Sequence, residues 1–139
     1  TYSDDKGVTW TVPKCIGIDG MPPHFMFHSS GALILSYSCR NWETMSERAV
    51  VSYDNGETWT EDYTINDQLH YVCDMGYPAS VELSDGSILT VYYQKAPGEG
   101  PTSVLCTTWR LGDNAGGDEA LEAFLKLDAE MKERRKIEG

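Results

Sequence analysis

Ser3-Asp4-Asp5-Lys6-Gly7-Val8-Thr9-Trp10 returns 49 residues later as Ser52-Tyr53-Asp54-Asn55-Gly56-Glu57-Thr58-Trp59. Five of the eight positions are identical, in the pattern Ser-x-Asp-x-Gly-x-Thr-Trp. Recurrence of this quality in so short a chain marks an array of similar structural units. The flanks of the second copy are strand formers: Ala49-Val50-Val51-Ser52 before it and Thr58-Trp59-Thr60-Glu61-Asp62-Tyr63-Thr64-Ile65 after it. Between them Asp54-Asn55-Gly56 reads as a tight turn. An aspartate carboxylate can accept from backbone amides further along, and glycine tolerates the positive φ that such a turn needs. Trp59 is expected to wedge between neighbouring sheets while its indole N–H finds an acceptor.

A second repeat runs out of phase with the first. The stretch from Asp19 to Tyr37 aligns with that from Asp74 to Tyr92 at an offset of 55 residues, pairing Pro23 with Pro78 and Gly31 with Gly86. Each copy reads as strand, two-residue turn, strand. The expected strands are Phe25 to His28 with Ala32 to Ser38, and Ser80 to Leu83 with Ile88 to Tyr93; Ser30-Gly31 and Asp85-Gly86 are the turns. A last strand is expected from Thr102 to Arg110.

The Ser-x-Asp-x-Gly-x-Thr-Trp pattern resembles the Asp-box of the sialidase (neuraminidase) superfamily, and the likeness extends over residues 1–111. The resemblance implies an all-β chain, part of a six-bladed β-propeller. Residues 1–16 would be the outer half of one blade, 22–65 a complete four-stranded blade and 78–111 three strands of another. Six such blades need about 300 residues, so the resemblance implies about two to two and a half blades and hence a C-terminal fragment. In that family the box lies away from the substrate. Ser3, Asp5, Gly7, Thr9 and Trp10, with Ser52, Asp54, Gly56, Thr58 and Trp59, are therefore expected to be structural.

Chemistry is expected elsewhere. Gly76-Tyr77-Pro78-Ala79-Ser80-Val81-Glu82-Leu83-Ser84-Asp85-Gly86 resembles the final-blade segment of sialidases, in which a tyrosine at the position of Tyr77 is the nucleophile. Pro78 departs from the usual serine, and Gln94 stands where the family often has glutamate. A phenol suits this chemistry because the anomeric carbon of sialic acid carries a carboxylate that would repel an anionic nucleophile. The family also grips that carboxylate with arginines, whose forked donors match it. Arg40, at the end of a predicted strand, is the preferred candidate, followed by Arg48 and more distantly Arg110. His24 and Asp74 are further substrate-binding candidates, suited to acid–base work or to closing loops. The family's acid–base aspartate, its activating glutamate and its first arginine are expected in other blades. The implied activity is retaining hydrolysis of terminal sialic acid-type residues of glycans, with this stretch alone inactive. A non-catalytic glycan-binding propeller and a purely structural interaction module are the alternatives.

Composition narrows the partners. A net charge of −11 argues against nucleic acid and anionic membranes, and no apolar run reaches transmembrane length. Cys15, Cys39, Cys73 and Cys106 lack CxxC spacing and histidine pairing, so they read as reduced structural thiols, with no metal or cofactor expected. Open sheet edges invite self-association. Beyond Leu111 the chain reads as a linker over 112–117 and an amphipathic helix over 118–139, striped by Ala120, Phe124, Leu127 and Met131. That helix would either bind a partner or copy of itself, or pack back on the sheets.

Overall fold

A computed structural model describes residues 1–68, 74–95 and 101–112, with the side chains of Thr60 and Glu61 left aside. The expected linker beyond Gly112, the helical tail and Cys73 lie outside the described residues. Within them the chain is all-β. Strands β1 (Pro23–Phe27), β2 (Leu33–Cys39), β3 (Ser46–Ser52) and β4 (Thr60–Asn66) form one antiparallel sheet in that order; β5 (Met75–Glu82), β6 (Ile88–Lys95) and β7 (Thr102–Trp109) form a second. In both, strands consecutive in the chain are neighbours in the sheet.

The two repeat hairpins differ from expectation in one detail. His28 N–H donates to the Ala32 carbonyl and Gly31 N–H to that of His28; Leu83 and Gly86 repeat this with Ser87 and Leu83. Each loop thus holds three residues, Ser29-Ser30-Gly31 and Ser84-Asp85-Gly86. Glycine takes the left-handed place in both, at φ 88° and 76°, the geometry of a three-residue hairpin with a glycine bulge.

Alternation along the strands decides which residues lie between the sheets. Ala32, Ile34, Ala49, Val51, Tyr63 and Ile65 of the first sheet meet Ile88, Tyr92 and Trp109 of the second in one buried cluster. Trp109 is the indole between the sheets: its ring lies 5.3 Å from that of Tyr63, and its Nε1 donates to Thr90 Oγ1 at 2.9 Å. Trp59, expected there, lies instead on the outer face of the first sheet beside Leu35, Tyr37 and Val50, with Phe25 at 6.2 Å. The reason is a bulge. Pairing slips from Val51↔Thr60 to Val50↔Asp62, and the extra residue carries Trp59 to the far side. Its buried Nε1 has no acceptor among the described residues.

The first box forms no strand, contrary to the expected half blade. Thr11 N–H donates to the Tyr2 carbonyl, closing a loop. That loop sits beside the second box, because Tyr2 Oη and Lys14 Nζ both reach the Glu57 carboxylate at 3.1 Å.

Candidate functional site at the strand ends opposite the box

The second box joins β3 to β4 and thereby marks one end of the sheets. In it Ser52 Oγ donates to Asp54 Oδ1, Thr58 N–H donates to the same oxygen at 2.8 Å, and Thr58 Oγ1 donates to Oδ2 at 2.5 Å. Gly56 N–H closes the ring on Ser52 Oγ. Ser3, Asp5, Gly7 and Thr9 make the same four bonds. Lys6 and Asn55 both take φ 59°, and Gly7 and Gly56 both take φ 89°. These donors, led by the threonine hydroxyl, hold both aspartates down to about pKa 2. Trp10 is exposed and donates to the Gly7 carbonyl of its own turn.

The character of the inter-sheet space changes toward the opposite end. Past the apolar cluster comes a polar chain in which Ser36 Oγ meets Ser80 Oγ, which in turn meets Thr90 Oγ1. Beyond it lies a row set by register: Ser38 on β2, Glu47 on β3 and Asn66 on β4 face one another across the first sheet. Asn66 Nδ2 reaches Gln94 Oε1 on β6 at 3.0 Å. All four are buried, and each added polar group between sheets must find partners to be tolerated.

Arg40 follows directly on β2. Its Nη2 donates to the Met75 carbonyl at 2.7 Å, while its buried Nε has no partner among the described residues. Met75 opens β5, and pairing there runs from Gly76↔Tyr93 to Ala79↔Val91, leaving Tyr77 and Pro78 opposite one residue. Proline has no N–H to give the ladder, so a bulge at this point loses least. Gly76 takes φ 132° and Tyr77 takes φ 53°. A Cβ on Gly76 would lie 2.8 Å from Ser38 Oγ and 2.9 Å from Arg40 Nη2. The bulge therefore rests on Ser38 and Arg40 and turns Tyr77 outward, 68 % exposed, its ring 5.9 Å from that of Tyr93. Positive φ at a non-glycine residue costs about 1–3 kcal/mol, and such outliers gather at sites where placement matters.

The predicted residues now sort themselves. Arg40, Tyr77 and Asp74 come together: burial foremost and then the Asp74 charge raise the Tyr93 hydroxyl, on which Arg40 and Tyr77 also act. Asp74 Oδ2 in addition accepts from Thr102 Oγ1 at 2.8 Å. Arg40 also lines a shallow cavity of about 330 Å³ with Asp19, Gly20, Met21, Ser38, Asn41 and Trp42. Arg48 is not brought to this site. It lies on the outer face of the first sheet, bound to Asp62 through Nε at 2.8 Å and Nη2 at 2.6 Å, with Tyr37 Oη on the same carboxylate. His24 is on the inner face but nearer mid-strand, where its Nδ1 accepts from Ser80 N–H at 3.2 Å. Arg110 pairs with Asp85 at the box end.

Glu47 escaped the sequence reading. It is fully buried, and both its oxygens accept from Ser38 Oγ, at 3.1 and 2.9 Å. Burial pushes its carboxyl up to about 8, against the opposing pull of Ser38 and the Arg40 charge. A signal existed: Ala49 and Val51 mark the inward parity of β3, and two residues back that parity falls on Glu47. Tyr93 and Trp42, the latter 70 % exposed, were likewise missed.

Among solved structures, the crystal structure of an unknown-function protein from Dyadobacter fermentans DSM 18053 is similar to this chain, with a TM-score of 0.65 and 27 % identity over 76 % of this chain and 29 % of the other. The chain thus spans less than a third of that protein's length. No family model and no curated protein matches it.

Proposed function

We propose that the chain is part of a sialidase-like β-propeller, the two sheets being neighbouring blades, and that the strand ends carrying Arg40 and Tyr77 belong to its sugar site. The reaction assigned to the whole protein is retaining removal of a terminal sialic acid-type residue from a glycan. The observation that carries this reading is the meeting of Arg40 with the Gly76–Tyr77 bulge at the end of the sheets opposite the two matching boxes. Arg40 would hold the sugar carboxylate by charge-assisted hydrogen bonds. The Tyr77 phenol oxygen would attack the anomeric carbon as the glycosidic C–O bond breaks, and water would later cleave the aryl glycoside. The proton for the leaving oxygen, and the base that takes the phenol proton, would come from other blades.

Tyr77→Phe in the full-length parent that this reading implies should abolish release of 4-methylumbelliferone from its sialoside while keeping N-acetylneuraminic acid binding within about threefold. Unchanged turnover would refute the nucleophile. The 139-residue chain by itself should show no turnover. A second reading, a glycan-binding propeller without catalysis, draws on the exposed rings of Trp42 and of Tyr77, the latter beside Tyr93, since flat aromatic faces suit the apolar face of a pyranose. Under it, both the Tyr77→Phe variant and its parent bind without turnover.

A further inference from the structure

Glu47 is a buried acid that, among the described residues, has one hydroxyl donor for two oxygens. A carboxylate there would be poorly served, and a buried unpaired charge is among the costlier things a fold can hold. The cation able to answer it is close by. Arg40 and Glu47 flank the Ser38 hydroxyl, since Ser38 Oγ contacts Glu47 and, with Arg40 Nη2, walls the position a Gly76 side chain would fill. Yet among the described residues no ion pair joins them, and Arg40 spends Nη2 on the Met75 carbonyl. From the remaining elements Glu47 faces the Tyr92 hydroxyl of β6, which bonds Thr107, and the neutral amide of Asn66, itself bonded to Gln94. Arg40 is the one cation in its reach among the described residues.

We propose that Glu47 is a positioning residue for the Arg40–Tyr77 site: as a neutral acid it leaves the Arg40 guanidinium on the Met75 carbonyl and available to an anionic sugar, and as a carboxylate it captures that guanidinium and frees the Gly76–Tyr77 bulge. The arrangement makes Arg40 a two-position element with the Glu47 proton as its control. The sugar half of this statement rests on the proposed function; the movement of Arg40 does not.

The test is a pH titration of the 139-residue chain by NMR from pH 5 to 10, following the Glu47 side-chain carboxyl, the Arg40 Nε–H and the Gly76 amide. The expected result is one shared step near the Glu47 midpoint of about 8. In Glu47→Gln the step should vanish from Arg40 and Gly76, leaving both at their low-pH positions. A Glu47 carboxyl that titrates while Arg40 and Gly76 stay flat overturns the proposal, as does a step that survives in Glu47→Gln. The wild-type titration decides this even if the variant folds poorly. With N-acetylneuraminic acid as probe, affinity should fall about tenfold between pH 7 and 9.5 in the wild type and stay level in Glu47→Gln. Absence of binding at every pH would count against the proposed function, while the ligand-free step would still decide the fate of Glu47.

Discussion

Asp54 uses both carboxylate oxygens inside its own turn, and Asp5 does the same 49 residues earlier. An acid so engaged has little left to offer a substrate. Both groups sit below their unfolded values, so the stability they lend is complete above about pH 4 and fades as the pH falls through about 2. Asp54→Ala should therefore lower the melting temperature at pH 7 and shrink its acid-side fall, read by circular dichroism melts at several pH values. Glu47 works in the opposite direction. Its carboxyl is raised from 4.5 to about 8 by burial, so the folded state keeps a proton that the unfolded chain gives up. Its contribution is intact below about pH 4.5 and is lost as the pH climbs to about 8, a change on the order of 4 kcal/mol. Urea midpoints between pH 5 and 8.5 should decline in the wild type and decline much less in Glu47→Gln. Alanine in place of Gly76 would be strained at φ 132° and would press on Ser38 Oγ and Arg40 Nη2, costing about 1–3 kcal/mol in denaturant unfolding.

At the scale of strands and turns, the legible features were those with a local cause. The four-stranded sheet and the three-stranded one follow from alternation and from glycine at two hairpin tips. Matching boxes follow from five identical residues. What the sequence left unread depended on a bulge or on a neighbour far along the chain. One extra residue opposite Val50 moved Trp59 to the outer face, so Trp109 took the place between the sheets. Arg48 reads like Arg40 until the pleat puts the two on opposite faces and Asp62 claims it. Strand parity turns Glu47 inward, but its hydrogen-bond donor among the described residues, Ser38, lies on another strand. The box-end loops of the two sheets are tied by Glu82, which accepts from Ser29 N–H at 2.7 Å and Ser29 Oγ at 2.5 Å, with His28 alongside at 3.3 Å. Between the sheets themselves, Trp109→Phe should destabilise by about 1–3 kcal/mol, since it empties part of the core and removes the indole hydrogen bond to Thr90. A double variant with Tyr63→Leu should fall short of the sum of the singles, because the two rings are in contact.

Across the whole molecule the inter-sheet space grades from apolar at the box end to polar at the Arg40 end. Apolar packing is concentrated where Ile34, Val51, Ile65 and Ile88 meet, and buried polar groups where Ser38, Glu47 and Arg40 do. The outer face of the second sheet carries Val81, Val91 and Val104, exposed at 54 %, 36 % and 75 %. That face, with open strand edges, underlies the proposal that the isolated chain self-associates; sedimentation velocity should show mass rising with concentration, and a fixed monomer would contradict it. The proposed sugar site calls for titrating N-acetylneuraminic acid into isotope-labelled chain at pH 6.5 and mapping the shifted amides. Shifts are expected at Arg40, Trp42, Gly76 and Tyr77, with residues 3–10 and 52–59 unmoved and the response lost in Arg40→Ala. Shifts absent at millimolar sugar, or centred on the two boxes, would contradict the proposed site.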